Sequence, residues 1–180
     1  FDRDGDLDVY ILTNTTNQTG PNVIRPKQMK GEMINTDRLY RNNGNKTFTN
    51  ISVEAGITIE GYGLGISICD INRDSWPDVY VTNDYLSNDL LYINNHDGTF
   101  TNRMSEYFKH TSYSAMGNDV SDFNNDGLLD IIAVDMLPPD NKRQKMMFGS
   151  INYDRYQSEL QYGYTPQFMR NTLQLNVGES

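Results

Sequence analysis

Apolar residues along this chain gather in short runs instead of helical stripes. Ile131, Ile132, Ala133 and Val134 make one such run and Val79 to Thr82 another, both behind a polar loop. Short β-branched runs bounded by Asn, Asp and Gly predict strands, because a helix would need a longer stretch with apolar residues every third or fourth place. The clearest region predicts four strands in succession: Gly63 to Cys69, Asp78 to Asn83, Leu90 to Asn94 and Thr99 to Asn102, the last two joined across the turn "NHDG".

The polar loops have a pattern of their own. In "DFNNDGLLD", Asp122, Asn124, Asp126 and Asp130 occupy positions 1, 3, 5 and 9, with Gly127 at position 6; in "DINRDSWPD", Asp70, Asn72, Asp74 and Asp78 occupy the same places. Carboxylates this close in sequence repel one another unless a cation lies between them, and hard oxygen donors suit calcium. Glycine at position 6 permits the sharp turn that wraps a short loop about an ion. The loop is not an EF-hand, since Ala133 stands at position 12 where that motif needs a bidentate Glu. At the N-terminus, "FDRDGDLD" fits with Phe1 at position 2, which puts Asp2, Asp4, Gly5 and Asp8 at positions 3, 5, 6 and 9 and leaves position 1 without a residue.

Asp, Asn and Gly are also ordinary turn residues, so recurrence decides between turn and site. Asp70 to Asp122 is 52 residues; "RLYRNNGNKTFTN" aligns with "LLYINNHDGTFTN" and Gly65 with Gly117 at that same offset. Three alignments at one period mean a duplicated unit, and four-stranded units of this length predict an all-β fold of propeller blades. One blade cannot bury its own faces, so its neighbours must supply the core. The predicted organisation is 1–62 as the end of one blade lacking its first strand, with an inserted loop at 14–37; 63–113 as a complete blade; and 114–180 as a partial blade with an insertion at 135–170. In that insertion Pro138 and Pro139 end the strand, Asp140 caps a helix to about Phe148, and a second helix covers about Tyr153 to Gln161. A propeller closes with about four to eight blades, so the chain reads as an excerpt and the remaining blades of a parent chain are expected partners.

A net charge of −9 and a pI near 4.5 exclude a basic phosphate-binding surface, and with it nucleic acid. No apolar run predicts membrane insertion in this segment. Cys69 is the single cysteine and reads as a core thiol, so no disulfide framework is expected. Asn14, Asn17, Asn45 and Asn50 each begin an Asn-x-Ser/Thr triplet, which we read as turn chemistry.

The loops, the run "DVYVTND" and the motif "LLYINNHDGTFTN" together resemble the FG-GAP or VCBS repeat of integrin-α-like β-propellers. The insertion, with "DMLPPDNKRQKMM" and "NYDRYQSELQYGYTPQFMRNTLQLN", is similar to proteins of the ASPIC/UnbV and cartilage-acidic-protein-like group, in the form common in Bacteroidetes. That resemblance implies one Ca2+ per loop, held by side chains at positions 1, 3, 5 and 9 and the main-chain carbonyl at position 7. Position by position it implies Asp122, Asn124, Asp126, Asp130 and the carbonyl of Leu128; Asp70, Asn72, Asp74, Asp78 and the carbonyl of Trp76; and Asp2, Asp4, Asp8 and the carbonyl of Asp6. Loop one lacks its first ligand and loop two has Ser75 in place of glycine, so the expected order of affinity is loop three, loop two, loop one. Calcium modules outside cells bind at about 10⁻⁴ to 10⁻³ M, which favours a secreted or cell-surface location.

Two functions follow from different classes. One is a calcium-stabilised interaction or adhesion module whose ligand is an extracellular protein or glycan. The other is part of a secreted polysaccharide-acting enzyme whose catalytic residues lie elsewhere in the parent or on the propeller face. His96 lies in a turn and His110 in a polar connection, neither beside a nucleophile or a second histidine, and the repeat explains the paired carboxylates as ligands. The expectation is therefore a non-enzyme. In the insertion, Phe148, Tyr153, Tyr156, Tyr162, Tyr164 and Phe168 are read as packing it onto the propeller, with a ligand surface as the rival.

Overall fold

A computed structural model describes residues 1–15, 20–147 and 153–178; Asn17 and Phe148 lie outside them. Among the described residues the chain folds into three antiparallel sheets and one short parallel pair. The first sheet joins β1 (Val9–Ile11), β2 (Arg38–Asn42) and β3 (Phe48–Asn50) in that order. The second is a four-stranded meander of β4 (Gly63–Cys69), β5 (Asp78–Asn83), β6 (Leu90–Asn94) and β7 (Phe100–Asn102). The last of these begins one residue later than expected, because the Thr99 amide and hydroxyl are both taken by the Asp97 carboxylate in the turn, at 3.0 and 2.6 Å.

A single helical turn, α1 (Met104–Tyr107), and a short strand, β8 (Thr111–Ser112), lead to β9 (Ala115–Ser121) and β10 (Asp130–Asp135). After α2 (Asn141–Met147), α3 (Tyr153–Gln161) and β11 (Gln167–Phe168), β12 (Thr172–Gln174) completes the third sheet in the order β12-β10-β9. Asp140 caps α2 through Oδ1, which accepts the Arg143 amide at 2.9 Å. The parallel pairing of β11 with β8 ties the insertion to the connection before β9, and nothing in the sequence pattern announced it. Registers repeat as the sequence does: Cys69 pairs with Asp78 across one loop and Ser121 with Asp130 across the next.

The central strands of sheet two, β5 and β6, are buried on both faces, and this explains their unbroken apolar runs. Val79, Val81, Leu90, Tyr92 and Phe100 pack with Leu39, Ala55, Ile57 and Ile59 in one cluster. Tyr80, Leu91 and Ile93 turn the other way and pack with Ile71, Met104, Phe108 and Ile131. Alternation along each strand is thus present, but both faces are core. Inner strands of neighbouring sheets approach closely at Gly65, where a side-chain carbon would meet Thr82 Oγ1 at 2.6 Å and the Cα of Gly117 at 2.9 Å. Asn118 clasps this approach, accepting from Ser67 Oγ at 2.6 Å and donating to Thr82 Oγ1 at 3.0 Å.

Both insertions leave from the same connection of the repeat, between β1 and β2 in sheet one and between β10 and β12 in sheet three, and they meet over the β5–β6 connection of sheet two. Lys27 donates its amide to the Tyr162 carbonyl at 3.1 Å and its Nζ to Asn88 at 2.8 Å, beneath the ring of Tyr164. Gln167 donates to the Leu86 carbonyl at 2.9 Å. Of the insertion aromatics expected to pack, Tyr164 is buried and Tyr156 stacks on Phe168, but Tyr153, Tyr162 and Phe168 itself are exposed.

Candidate cation loops

All three Asp-rich loops have one conformation. Positions 4 and 6 both take positive φ: Arg3 62° and Gly5 98°, Arg73 63° and Ser75 70°, Asn125 60° and Gly127 84°. Such alternation turns successive main-chain amides inward, and the side chains at positions 1, 3 and 5 converge on them. In loop three Asp122 accepts the amides of Asp126 and Gly127 at 3.0 and 2.8 Å, Asn124 accepts that of Asp126 at 3.0 Å, and Asp126 accepts that of Leu128 at 2.8 Å. Loop two repeats this: Asp70 takes Asp74 and Ser75, both at 2.9 Å, Asn72 takes Asp74 at 3.1 Å, and Asp74 takes Trp76 at 2.8 Å. Loop one keeps the part it has residues for, Asp2 accepting from Asp4 at 3.3 Å and Asp4 from Asp6 at 2.9 Å.

Position 9 does something else. Its carboxylate accepts the position 2 nitrogen with one oxygen and, with the other, the amide of an Asn that ends β2 or β6 or, in the third sheet, lies two residues past β12. For Asp8 the donors are Phe1 at 2.6 Å and Asn42 at 2.9 Å; for Asp78, Ile71 at 3.0 Å and Asn94 at 2.9 Å; for Asp130, Phe123 at 3.0 Å and Asn176 at 2.8 Å. Asp78 and Asp130 are fully buried. Each position 9 residue is therefore a staple from the loop to that Asn, whatever else its remaining lone pairs bind. Burial pushes the Asp78 carboxyl up, against the two amides that hold it down.

Loop two carries an addition. His96, in the β6–β7 turn, stacks its ring on Trp76 with centroids 4.9 Å apart and places Nε2 2.8 Å from Asp74 Oδ2, while the Arg3 guanidinium sits 5.3 Å from the Trp76 ring centre. Burial raises the Asp74 carboxyl, but hydrogen bonds from His96, the Trp76 amide and Asn72 outweigh it and hold the group below the usual range. Cys69, half-buried at the entry to this loop, has its thiol pushed to about 11 by burial, with Asp78 and Asp70 adding to it. His110 packs edge-on against Phe168 at 5.4 Å.

A second repeated pair escaped sequence reasoning. Tyr80 donates to buried Asp89 at 2.9 Å and Tyr10 to Asp37 at 3.1 Å; the same carboxylates accept the amides of Asn83 and Thr13. In the third sheet Asn171 fills that place and accepts the Asp135 amide at 2.7 Å. Burial pushes Asp89 to about 7 and Asp37 to about 6. The signal was available, since Asp37 and Asp89 lie at the repeat offset, but no ligand motif drew attention to them.

The loop donors suit a hard cation, being oxygen without exception: carboxylate, Asn carbonyl and main chain. Among the described residues no three His, Cys, Asp or Glu side chains gather closely enough to hold a metal by themselves. An ion in loop three would thus rely on Asn124 and the Leu128 carbonyl beside Asp122 and Asp126, and in loop two on Asn72 and the Trp76 carbonyl. The loops, the meander and the two-faced core define a β-propeller-like repeat module. A family model described as FG-GAP-like repeat matches residues 1–81 and again residues 70–133, and the chain belongs to that family. No curated protein matches the sequence. Repeats of this family are typically extracellular and non-catalytic. Among the described residues no helix is long and apolar enough to cross a membrane.

Proposed function

We propose that this chain is a calcium-stabilised β-propeller region that serves as an extracellular interaction or adhesion module, the ion having a structural role. What supports this most is the threefold recurrence of one loop conformation, with oxygen donors at positions 3 and 5, and at position 1 in loops two and three, drawn onto the same main-chain amides. Loops two and three join the first two strands of their blades, so an ion there would fix the hairpin and offset carboxylates that otherwise repel. Sites of this kind fill at about millimolar calcium outside the cell, which agrees with a secreted or surface setting. Its partner is an extracellular protein or a glycan. Within the family we further propose kinship with the ASPIC/UnbV-bearing proteins, on the strength of the insertion "DMLPPDNKRQKMM".

Thermal melting with calcium and with chelator tests the reading. Calcium raises the midpoint by several degrees, as about 1–2 kcal/mol of linkage does in a domain of this size, and Asp122→Ala together with Asp126→Ala reduces the gain. Equal midpoints under both conditions would refute it.

A further inference from the structure

In each blade the turn after the third strand contains a residue with positive φ that lies against position 7 of the cation loop: Gly44 at 72°, His96 at 67° and Gly178 at 69°. A side-chain carbon at Gly44 would meet Asp6 Oδ2 at 3.0 Å, and one at Gly178 would meet Leu128 Cδ1 at 3.3 Å. A side chain at this place therefore lies across the loop. Blade two alone has one there, a histidine in a conformation that glycine adopts without strain. The imidazole takes both contacts within reach, stacking on Trp76 at position 7 and placing Nε2 2.8 Å from Asp74 Oδ2 at position 5.

Loop three is the internal comparison. Asp126 has the same partners as Asp74, an Asn side-chain amide on Oδ2 (2.9 Å from Asn124, 2.7 Å from Asn72 in loop two) and the position 7 amide on Oδ1 at 2.8 Å. Its residue opposite is glycine, so the imidazole is what Asp74 has in addition. We propose that His96 is a latch on loop two: it holds the Asp74 carboxylate against Trp76, and a divalent cation enters this loop only by displacing Nε2. This rests on the reading that the loops take calcium, and it makes loop two a higher-threshold site than loop three for a reason separate from Ser75.

Trp76 is the chain's single tryptophan and belongs to the loop itself, so its emission reports loop two. The test is a titration of the full chain with calcium chloride, followed by Trp76 emission and by calorimetry. One exposed imidazole–carboxylate hydrogen bond and one ring stack together account for about a three- to tenfold affinity difference. His96→Gly should lower the Trp76-reported midpoint by that factor. His96→Asn, which tolerates positive φ and removes the imidazole, should do the same, and Asp126→Ala should leave that midpoint in place. If loop three titrates but both His96 variants keep the wild-type midpoint within about twofold, or loop two stays silent in all of them, the latch is refuted while calcium binding stands. If neither heat nor emission responds in any protein, the calcium reading falls and takes the latch with it.

Discussion

The loop carboxylates include a staple at position 9 and, in the proposed function, a ligand set at positions 1, 3 and 5, and substitutions at Asp130 and Asp126 distinguish the two roles. Asp130→Ala removes a buried carboxylate that accepts the amides of Phe123 and Asn176 at 3.0 and 2.8 Å. Each amide left without a partner costs about 1–3 kcal/mol if it is buried, and Phe123 and Asn176 retain some access to water, so the expected loss is about 2–4 kcal/mol. Asp130→Asn keeps one acceptor and should lose about half of that. Asp126 is exposed, so Asp126→Ala should cost under about 1 kcal/mol in chelator. With about 5 mM calcium and a dissociation constant of about 0.1–1 mM, the same substitution forfeits a further 1–2 kcal/mol of linkage, roughly. Urea denaturation of the three variants and the parent, each with chelator and with calcium, gives all these differences. A loss under about 1 kcal/mol for Asp130→Ala in chelator would refute the staple. An Asp126→Ala cost independent of calcium would refute the assignment of position 5 to the ion.

Three further outcomes are expected. Ser75 at φ 70° is strained where Gly5 and Gly127 are not, so Ser75→Gly should stabilise by about 0.5–1 kcal/mol in a urea melt. Gly65→Ala should destabilise by about 2 kcal/mol or more, because the new carbon would meet Thr82 Oγ1 and Gly117 Cα at 2.6 and 2.9 Å; a neutral result would mean that the inner strands of sheets two and three are not in contact. Asp89 is raised to about 7 from the ordinary 3.8, so its favourable contribution is complete below about pH 4 and is lost as pH rises towards 7, by up to about 4 kcal/mol. In chelator Asp89→Asn should flatten that decline, as Asn171 stands at this place in the third sheet; an unchanged pH profile would show that Asp89 is not the group responsible.

Strands were legible in the sequence where both faces of a sheet are core, since Val79 to Thr82 and Leu90 to Asn94 have no polar alternative to burial. Loops two and three were legible because the spacing of their Asp and Asn residues repeats at 52 residues. What escaped has a physical reason in each case. Positive φ at position 4 is carried by Arg3 and Arg73, residue types that do not advertise it, and only in loop three by one that does, Asn125. The staple made by position 9 was not legible, because the amides of Asn42, Asn94 and Asn176 that Asp8, Asp78 and Asp130 accept lie on the far side of another strand and outside the loop motif. The meeting of the insertions depends on contacts such as Lys27 with Tyr162 and Gln167 with Leu86, far apart in sequence and without periodicity. The parallel pair of β8 and β11 is two residues long on each side, too short to leave a pattern.

Calcium itself is the measurement on which the account turns. Calorimetric titration of the full chain with calcium chloride should show binding at about millimolar concentration or tighter. Asp126→Ala should remove the tightest component. An absence of binding heat at about 10 mM calcium, at more than one temperature, would mean that the loops are turns held by their own amides, and the structural role of the ion would be wrong.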